Sequence, residues 1–223
     1  MSEEIERTPV ILDPSSPRAI EWTAERLRQG GVVSFPTDTV YALAASLSHS
    51  EALDHIFRLK GRGSQHPLPV LLAAPMHIRD VAAIADDRLI DLADQFWPGP
   101  LTIVLPARDG MPVQATGFDV TGRPTVAVRV PAHFLAIEVI ERAGGSVAAT
   151  SANISGEPPA CSAAAVMAHF GHGFDLLLDG GHAPGGVPST IVAMEPDGLH
   201  FVREGAISRE TVEAAWAEIV AGS

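Results

Sequence analysis

Apolar positions recur along this chain at two spacings, and their alternation gives the first expectation of fold. "SSPRAIEWTAERLRQGG" (15–31) has helical spacing, with Ser16 as N-cap, Pro17 at the first helical position and Gly30 or Gly31 as the stop. "VVSF" (32–35) then reads as a short apolar strand, "PTDT" as a turn and "YALAAS" as a return to extended chain. "SEALDHIFRLKG" is a second helix, "LPVLLAA" (68–74) a buried strand, and a third helix runs from about Asp86 to Phe96, stopping at "WPGP". "LTIVLPA" (101–107) and "TVAVRV" (125–130) are strands flanking a polar stretch, 108–124. "PAHFLAIEVIERAGG" is a helix, "SVAATS" a strand, "ANISGEPPA" a loop, "SAAAVMAHFG" a helix and "DLLLDGG" a short strand. "STIVAM" and "LHFVRE" read as a strand pair, and "ISRETVEAAWAEIV" closes with a helix.

Strands and helices intermingle, and some strands follow one another directly. That pattern predicts an α/β fold whose sheet is mixed rather than purely parallel. No repeat, low-complexity segment or composition shift marks a second domain. The expected division is an N-terminal polar arm, 1–12, and one catalytic domain, 13–223.

Charge changes the picture in one respect. Asp and Glu number 27 against 15 Lys and Arg, a net charge of −12. Such a surface disfavours broad, salt-driven nucleic-acid binding while leaving room for a local basic pocket. No apolar run reaches the roughly 20 residues that span a bilayer, and the acidic start "MSEEIERTPV" lacks signal-peptide features. Cys161 is alone, so no internal disulfide or cysteine cluster is expected. A cytoplasmic protein without membrane contact follows as the default.

Several stretches offer chemistry. Fourteen of the fifteen basic residues are Arg; the exception, Lys60, sits in "KGRG" at a helix end and is expected near solvent. Lys60 and Arg62 beside glycines suit a phosphate-gripping loop, with a cation-decorated helix cap as the plainer reading. In "TSANISG" (150–156), Ser151 and Asn153 follow a strand, where open α/β sheets bind ligands, although Ser and Asn also make ordinary turns there. In "FPTDTVY" (35–41), Thr37 and Thr39 could hold a small polar ligand, and Asp38 could act as acid, base or indirect metal partner. Arg129 lies between valines, on one strand face with Thr125 and Ala127. Burial there requires an anion, either a structural carboxylate or one carried by a substrate. Ser189, Thr190 and Arg203 lie at strand ends. His169 and His172 lack a third ligand at metal-binding spacing, and Trp97–Pro98–Gly99–Pro100 reads as a rigid packing corner.

Taken in order, "GGVVSFPTDTVYAL", "KGR", "WPGPLT", "VAVRVP", "TSANISG" and "PSTIV…VREG" resemble the threonylcarbamoyl-AMP synthase family, also called YrdC-like, from about Gly30 to Gly205. The resemblance implies a twisted mixed sheet flanked by helices around a large concave cavity, in a short single-domain form. It implies joining of L-threonine, bicarbonate and ATP into threonylcarbamoyl-adenylate and pyrophosphate, for tRNA modification completed by downstream threonylcarbamoyl transferase proteins. It places Lys60, Arg62, Ser64, Thr125, Ser151, Asn153 and Arg203 at ATP, with Lys60 and Arg62 catalytic. Thr37, His66, Arg129 and Ser189 fall at threonine. Mg2+ is expected on the phosphates, with no dedicated protein metal site. Ala42 stands where many members have Gly, Gly63 where Pro is usual, and "PLPVLL" lacks a histidine common in the family. The alternatives are therefore a relative using another amine or carbamoyl-adenylate, or a double-stranded RNA-binding module.

Overall fold

The computed structural model describes residues 8–61, 66–84, 86–195 and 198–222. In chain order the elements are Val10–Leu12 (β1), Ala19–Arg28 (α1), Val33–Pro36 (β2), Tyr41–Ala45 (β3), Ser50–Leu59 (α2) and Val70–Leu72 (β4). Ile78–Val81 (α3), Asp87–Phe96 (α4), Leu101–Pro106 (β5), Gly117–Phe118 (β6), Pro124–Arg129 (β7) and Phe134–Ala143 (α5) follow. Ser146–Ser151 (β8), Ala163–Phe170 (α6), Leu176–Leu178 (β9), Thr190–Glu195 (β10), Gly198–Arg203 (β11) and Arg209–Gly222 (α7) complete them.

The strands form one mixed sheet in the order β1-β9-β2-β3-β8-β4-β7-β5-β10-β11, with β6 added to β7. Consecutive β2 and β3 pair antiparallel, as do β10 and β11, while β4 lies parallel to β7 and β10 parallel to β5. The mixed α/β class read from the sequence is the class observed. The local reading differs at the start of α1. Arg18, not Ser16, is the N-cap residue, and it makes no side-chain cap bond; the Ser16 carbonyl instead accepts from the Ala19 N–H at 3.1 Å. Where a side chain does cap, the helix begins as expected: Asp86 accepts from the Arg88 N–H at 3.0 Å ahead of α4. β1 lies within the stretch read as a polar arm and pairs parallel with β9.

Period-two alternation sends each strand's apolar residues to two faces. On one face, α1 and α5 bury Leu27, Val139 and Ile140 against Phe35, Ala44, Val147 and Leu178. On the other, α2 and α6 pack on β3, β8 and β9, while α3, α4 and α7 pack on β4, β5, β7 and β10. Thus Val126, Val128 and Val130 enter a core. Val104, Ala127, Ile191 and Ala193 point the opposite way, belong to none of the three apolar clusters, and are only half-buried. The α1/α5 face is therefore covered over one half of the sheet and open over β7, β5 and β10. Among the described residues no helix is long and apolar enough to cross a membrane.

Candidate active site

A cavity open to solvent, about 550 Å³ with that open space counted, lies at the boundary between the covered and open halves of that face. Its wall is contributed by the β2–β3 turn (Thr37, Thr39, Val40), Ala42 of β3, Leu71 of β4, Thr102 of β5, Arg129 of β7, Ala149 and Ser151 of β8, and the segment Pro188–Ser189 with Arg203. Thr37, Arg129, Ser151, Ser189 and Arg203, picked out by sequence, thus converge on one space. The pairing of Leu71 with Arg129 explains how residues far apart in the chain meet there.

Arg129 is the best-defined group. Its side chain is 7% exposed and pairs through Nη2 with the Asp38 carboxylate. Nη1 donates to Thr39 Oγ1 at 3.0 Å and Nε to the Gly99 carbonyl at 2.9 Å. Of the two anions left open by the sequence, the structure supplies the structural one. Burial pushes the Arg129 pKa down, Asp38 pushes it up, and the positive charge of Arg203 pushes it down again. A guanidinium has five N–H donors, and three are engaged here, so two remain for a ligand. The Trp97–Pro100 corner therefore does more than pack: its Gly99 carbonyl orients the arginine. A side chain at Gly99 would place its Cβ 2.1 Å from the Phe96 carbonyl oxygen.

The β2–β3 turn is fixed from within. Thr37 Oγ1 donates to the Val40 carbonyl at 2.7 Å and accepts from the Thr39 and Val40 N–H groups at 3.2 and 3.3 Å. Thr37 thus shapes the turn that presents Thr39 and Asp38 to Arg129. On the opposite wall the hydroxyls of Thr102 and Ser189 lie 2.8 Å apart. Arg203 folds back on the Ser189 carbonyl, with Nη2 donating at 2.8 Å.

Lys60 departs from the expectation of solvent exposure. It follows α2 as its C-cap residue but is only 3% exposed, because the loop after β8 folds over it. Nζ donates to the Asn153 carbonyl at 2.8 Å and to the Ser151 carbonyl at 2.5 Å. Asn153 is buried, and its amide donates to the carbonyls of Ile154 (2.9 Å) and Glu157 (2.7 Å), so it braces its own loop. The Ser151 hydroxyl has no partner among the described residues.

The remaining site candidates are placed differently. Thr125 is half-buried, on the Arg129 face of β7 but farther along the strand, opposite Pro106 and Gly117. His66 is exposed. Neither lines the cavity. Arg62 and Ser64 lie outside the described residues. Sequence reasoning passed over Thr102, the Gly99 carbonyl and His133. Burial lowers the His133 pKa, Asp38 opposing, and its Nδ1 is buried without a partner among the described residues. Thr102 gave no signal beyond being a polar residue inside an apolar strand.

Among the described residues no group of three His, Cys, Asp or Glu is placed to hold a metal ion. Among the described residues, the charged side chains of the cavity wall are both arginines. Two guanidiniums, hydroxyls and an apolar strip of Ala42, Leu71 and Ala149 suit a small anionic ligand with an apolar part.

The chain is 38% identical over 206 residues to a threonylcarbamoyl-AMP synthase of Pyrococcus abyssi, covering 91% of this chain and 59% of that protein. It is 36% identical over 164 residues to one from Halorhodospira halophila, covering 74% of this chain and 84% of that protein. It spans less than two thirds of the Pyrococcus abyssi protein and only 56% of a Bacillus subtilis relative of the same name. The crystal structure of P. abyssi Sua5 complexed with L-threonine matches with a TM-score of 0.84 and 35% identity, covering 92% of this chain and 60% of that one. E. coli YciO matches in fold, with a TM-score of 0.79 at 23% identity, covering 92% of this chain and 98% of that one. The profile of the Sua5/YciO/YrdC family, described as "telomere recombination", matches residues 25–205, so that the chain belongs to this family.

Proposed function

We propose that this chain catalyses formation of threonylcarbamoyl-adenylate and pyrophosphate from L-threonine, bicarbonate and ATP. The observation that carries the reading is the pair of guanidiniums, Arg129 and Arg203, on the wall of one cavity, with Arg129 keeping two N–H donors beyond its pair with Asp38. The substrates are anionic at two places, the amino-acid carboxylate and the nucleotide phosphates, and two separated cations answer both. Arg129 takes the threonine carboxylate with its two remaining N–H donors, between Thr37 and Ser189. Arg203, Ser151 and the Asn153 loop face the nucleotide, with Thr125 farther out on the same sheet face. Arg62, Ser64 and His66 complete the proposed set.

The chemistry balances without a nucleophilic side chain. The neutral threonine amine attacks the bicarbonate carbon, forming the N–C bond and releasing water. The resulting carbamate oxygen attacks the α-phosphorus of ATP, and the bond to the β,γ-phosphates breaks to release pyrophosphate. Carbamates decompose in water, so the carbamate has to be consumed in place by a nucleotide bound beside it. Two anions must approach, and fixed cations lower that barrier. Mg2+ would arrive with the nucleotide's phosphates, which usually carry it with waters. We place the product in cytoplasmic tRNA modification, passed to a threonylcarbamoyl transferase.

Purified protein incubated with ATP, bicarbonate and L-threonine should release pyrophosphate only when all three are present. Equal release without threonine defeats the reading. Ala42 and Leu71 on the apolar wall make serine the informative competitor, because release with serine alone would assign a different amine.

A further inference from the structure

The single lysine of the chain follows α2, and three oxygens of one loop lie around its ammonium. Nζ donates to the carbonyls of Ser151 (2.5 Å) and Asn153 (2.8 Å) and lies 3.4 Å from Asn153 Oδ1. The Lys60 carbonyl also accepts from the Ser155 N–H at 3.2 Å, so backbone and side chain grip the same segment. On the loop's far side, the two nitrogens of the His169 ring lie 3.1 Å from a Glu157 carboxylate oxygen and 3.1 Å from the Pro158 carbonyl.

We infer that Lys60 is a positioning residue: it acts by stapling loop 151–157, which sets Ser151 on the cavity wall, rather than by gripping phosphate. An ammonium carries three N–H donors on one atom, and three oxygens of one loop lie around it. Swinging Nζ out to a phosphate would leave the Ser151 and Asn153 carbonyls without this donor in a buried place, which is costly. The same geometry accounts for lysine in a chain otherwise served by arginine. A guanidinium spreads its donors over a planar fork and cannot converge them on three oxygens around one point. As far as ligands are concerned, the inference rests on the proposed ATP and threonine reading; the staple itself does not.

Two measurements on Lys60→Met and Lys60→Arg test it. The first is amide hydrogen exchange. In the parent, Ser155 N–H is bonded to Lys60 and Glu157 N–H to Ile154. Loss of the staple should speed exchange at both by roughly tenfold or more while the amides of β3 and β8 stay protected. The second is calorimetric binding of ATP and AMP. A positioning residue lowers both affinities by similar factors, leaving their ratio within about threefold of the parent, whereas a phosphate ligand penalises ATP far more. Unchanged loop exchange, or an ATP-to-AMP ratio shifted by more than about tenfold, overturns the inference. If Lys60→Met does not fold, Lys60→Arg decides by the same two criteria. A parent protein that binds neither nucleotide defeats the proposed function, and the exchange measurement still decides the role of Lys60.

Discussion

Arg129 and Asp38 form a nearly dry ion pair, their side chains 7% and 12% exposed, between residues 91 positions apart in the chain. The pair joins the β2–β3 turn to β7 at the cavity, whose wall includes Thr37, Thr39 and Arg129. Removing one member of a buried pair strands the other charge, at a cost of about 3–5 kcal/mol. Arg129→Gln should therefore lower stability by that order and raise the threonine requirement much more than the ATP requirement. Asp38→Asn keeps an acceptor but leaves the guanidinium uncompensated, and should also destabilise. The double variant should recover part of the stability, because neither charge is stranded, yet still bind threonine poorly. Urea denaturation and threonine calorimetry on the three variants check this. A double variant that binds threonine normally would confine Arg129 to a structural role.

His133 gives a pH dependence with a definite sign. Burial lowers its pKa, with Asp38 opposing. The unfolded chain, where histidine titrates near 6.5, then binds the proton more tightly than the folded state. The resulting stability is full above that value and is lost as pH falls through the folded value. His133→Gln removes this contribution. Its melting temperature relative to the parent should be lower near neutral pH, and the gap should narrow on acidification towards about pH 5. A gap that widens on acidification would show that His133 is held as the cation.

Tyr41, the chain's one tyrosine, is fully buried, and its hydroxyl donates to the Gly181 carbonyl at 2.7 Å, with Asp179 at 3.4 Å. Desolvation, with the Asp179 charge adding to it, pushes its pKa well up, so the phenol stays protonated and a donor. The bond ties β3 to the segment that leads from β9 to Ser189. Tyr41→Phe removes the donor of a part-buried hydrogen bond and should cost about 0.5–1.5 kcal/mol. Denaturant titration measures it, and a loss well under 0.5 kcal/mol would mean that water replaces the phenol.

Local pattern and long-range contact divide what was legible in the sequence. The face that β7 turns to the core follows from alternation alone, and the same alternation set Arg129 apart. Its partner could not be found that way, since Asp38 lies in the turn after β2, which three strands (β3, β8 and β4) separate from β7 in the sheet. The Gly99 carbonyl is invisible for a different reason: a backbone acceptor leaves no residue-type signal. Lys60 shows the opposite failure. A helix end beside two glycines reads as exposed, and only the fold of 151–155 over it makes it buried. The start of α1 was misplaced because Ser16 has the composition of a cap but uses its backbone carbonyl instead.

Gly205 offers a test of how the Arg203 side of the cavity is held. Thr190 Oγ1 accepts from the N–H groups of Gly205 at 2.9 Å and Ile207 at 3.1 Å, drawing the turn after β11 against the start of β10. The turn lies so close to Pro188–Ser189 that a Cβ on Gly205 would sit 2.3 Å from the Pro188 carbonyl oxygen and 2.5 Å from the Ser189 carbonyl carbon. Both neighbours are backbone, so relief requires moving the chain rather than rotating a side chain. That movement shifts Ser189 and the carbonyl on which Arg203 rests, disturbing both proposed ligand positions at once. Gly205→Ala should therefore weaken threonine and ATP binding together, by tenfold or more if the displacement approaches about 1 Å, with a stability loss of about 1–3 kcal/mol from overpacking. Thr190→Val, which removes the hydroxyl anchor without adding bulk at Gly205, should weaken the same two affinities with the same balance. Calorimetry with each ligand separates the outcomes: loss of threonine affinity alone in either variant would mean that Arg203 is positioned independently of this turn.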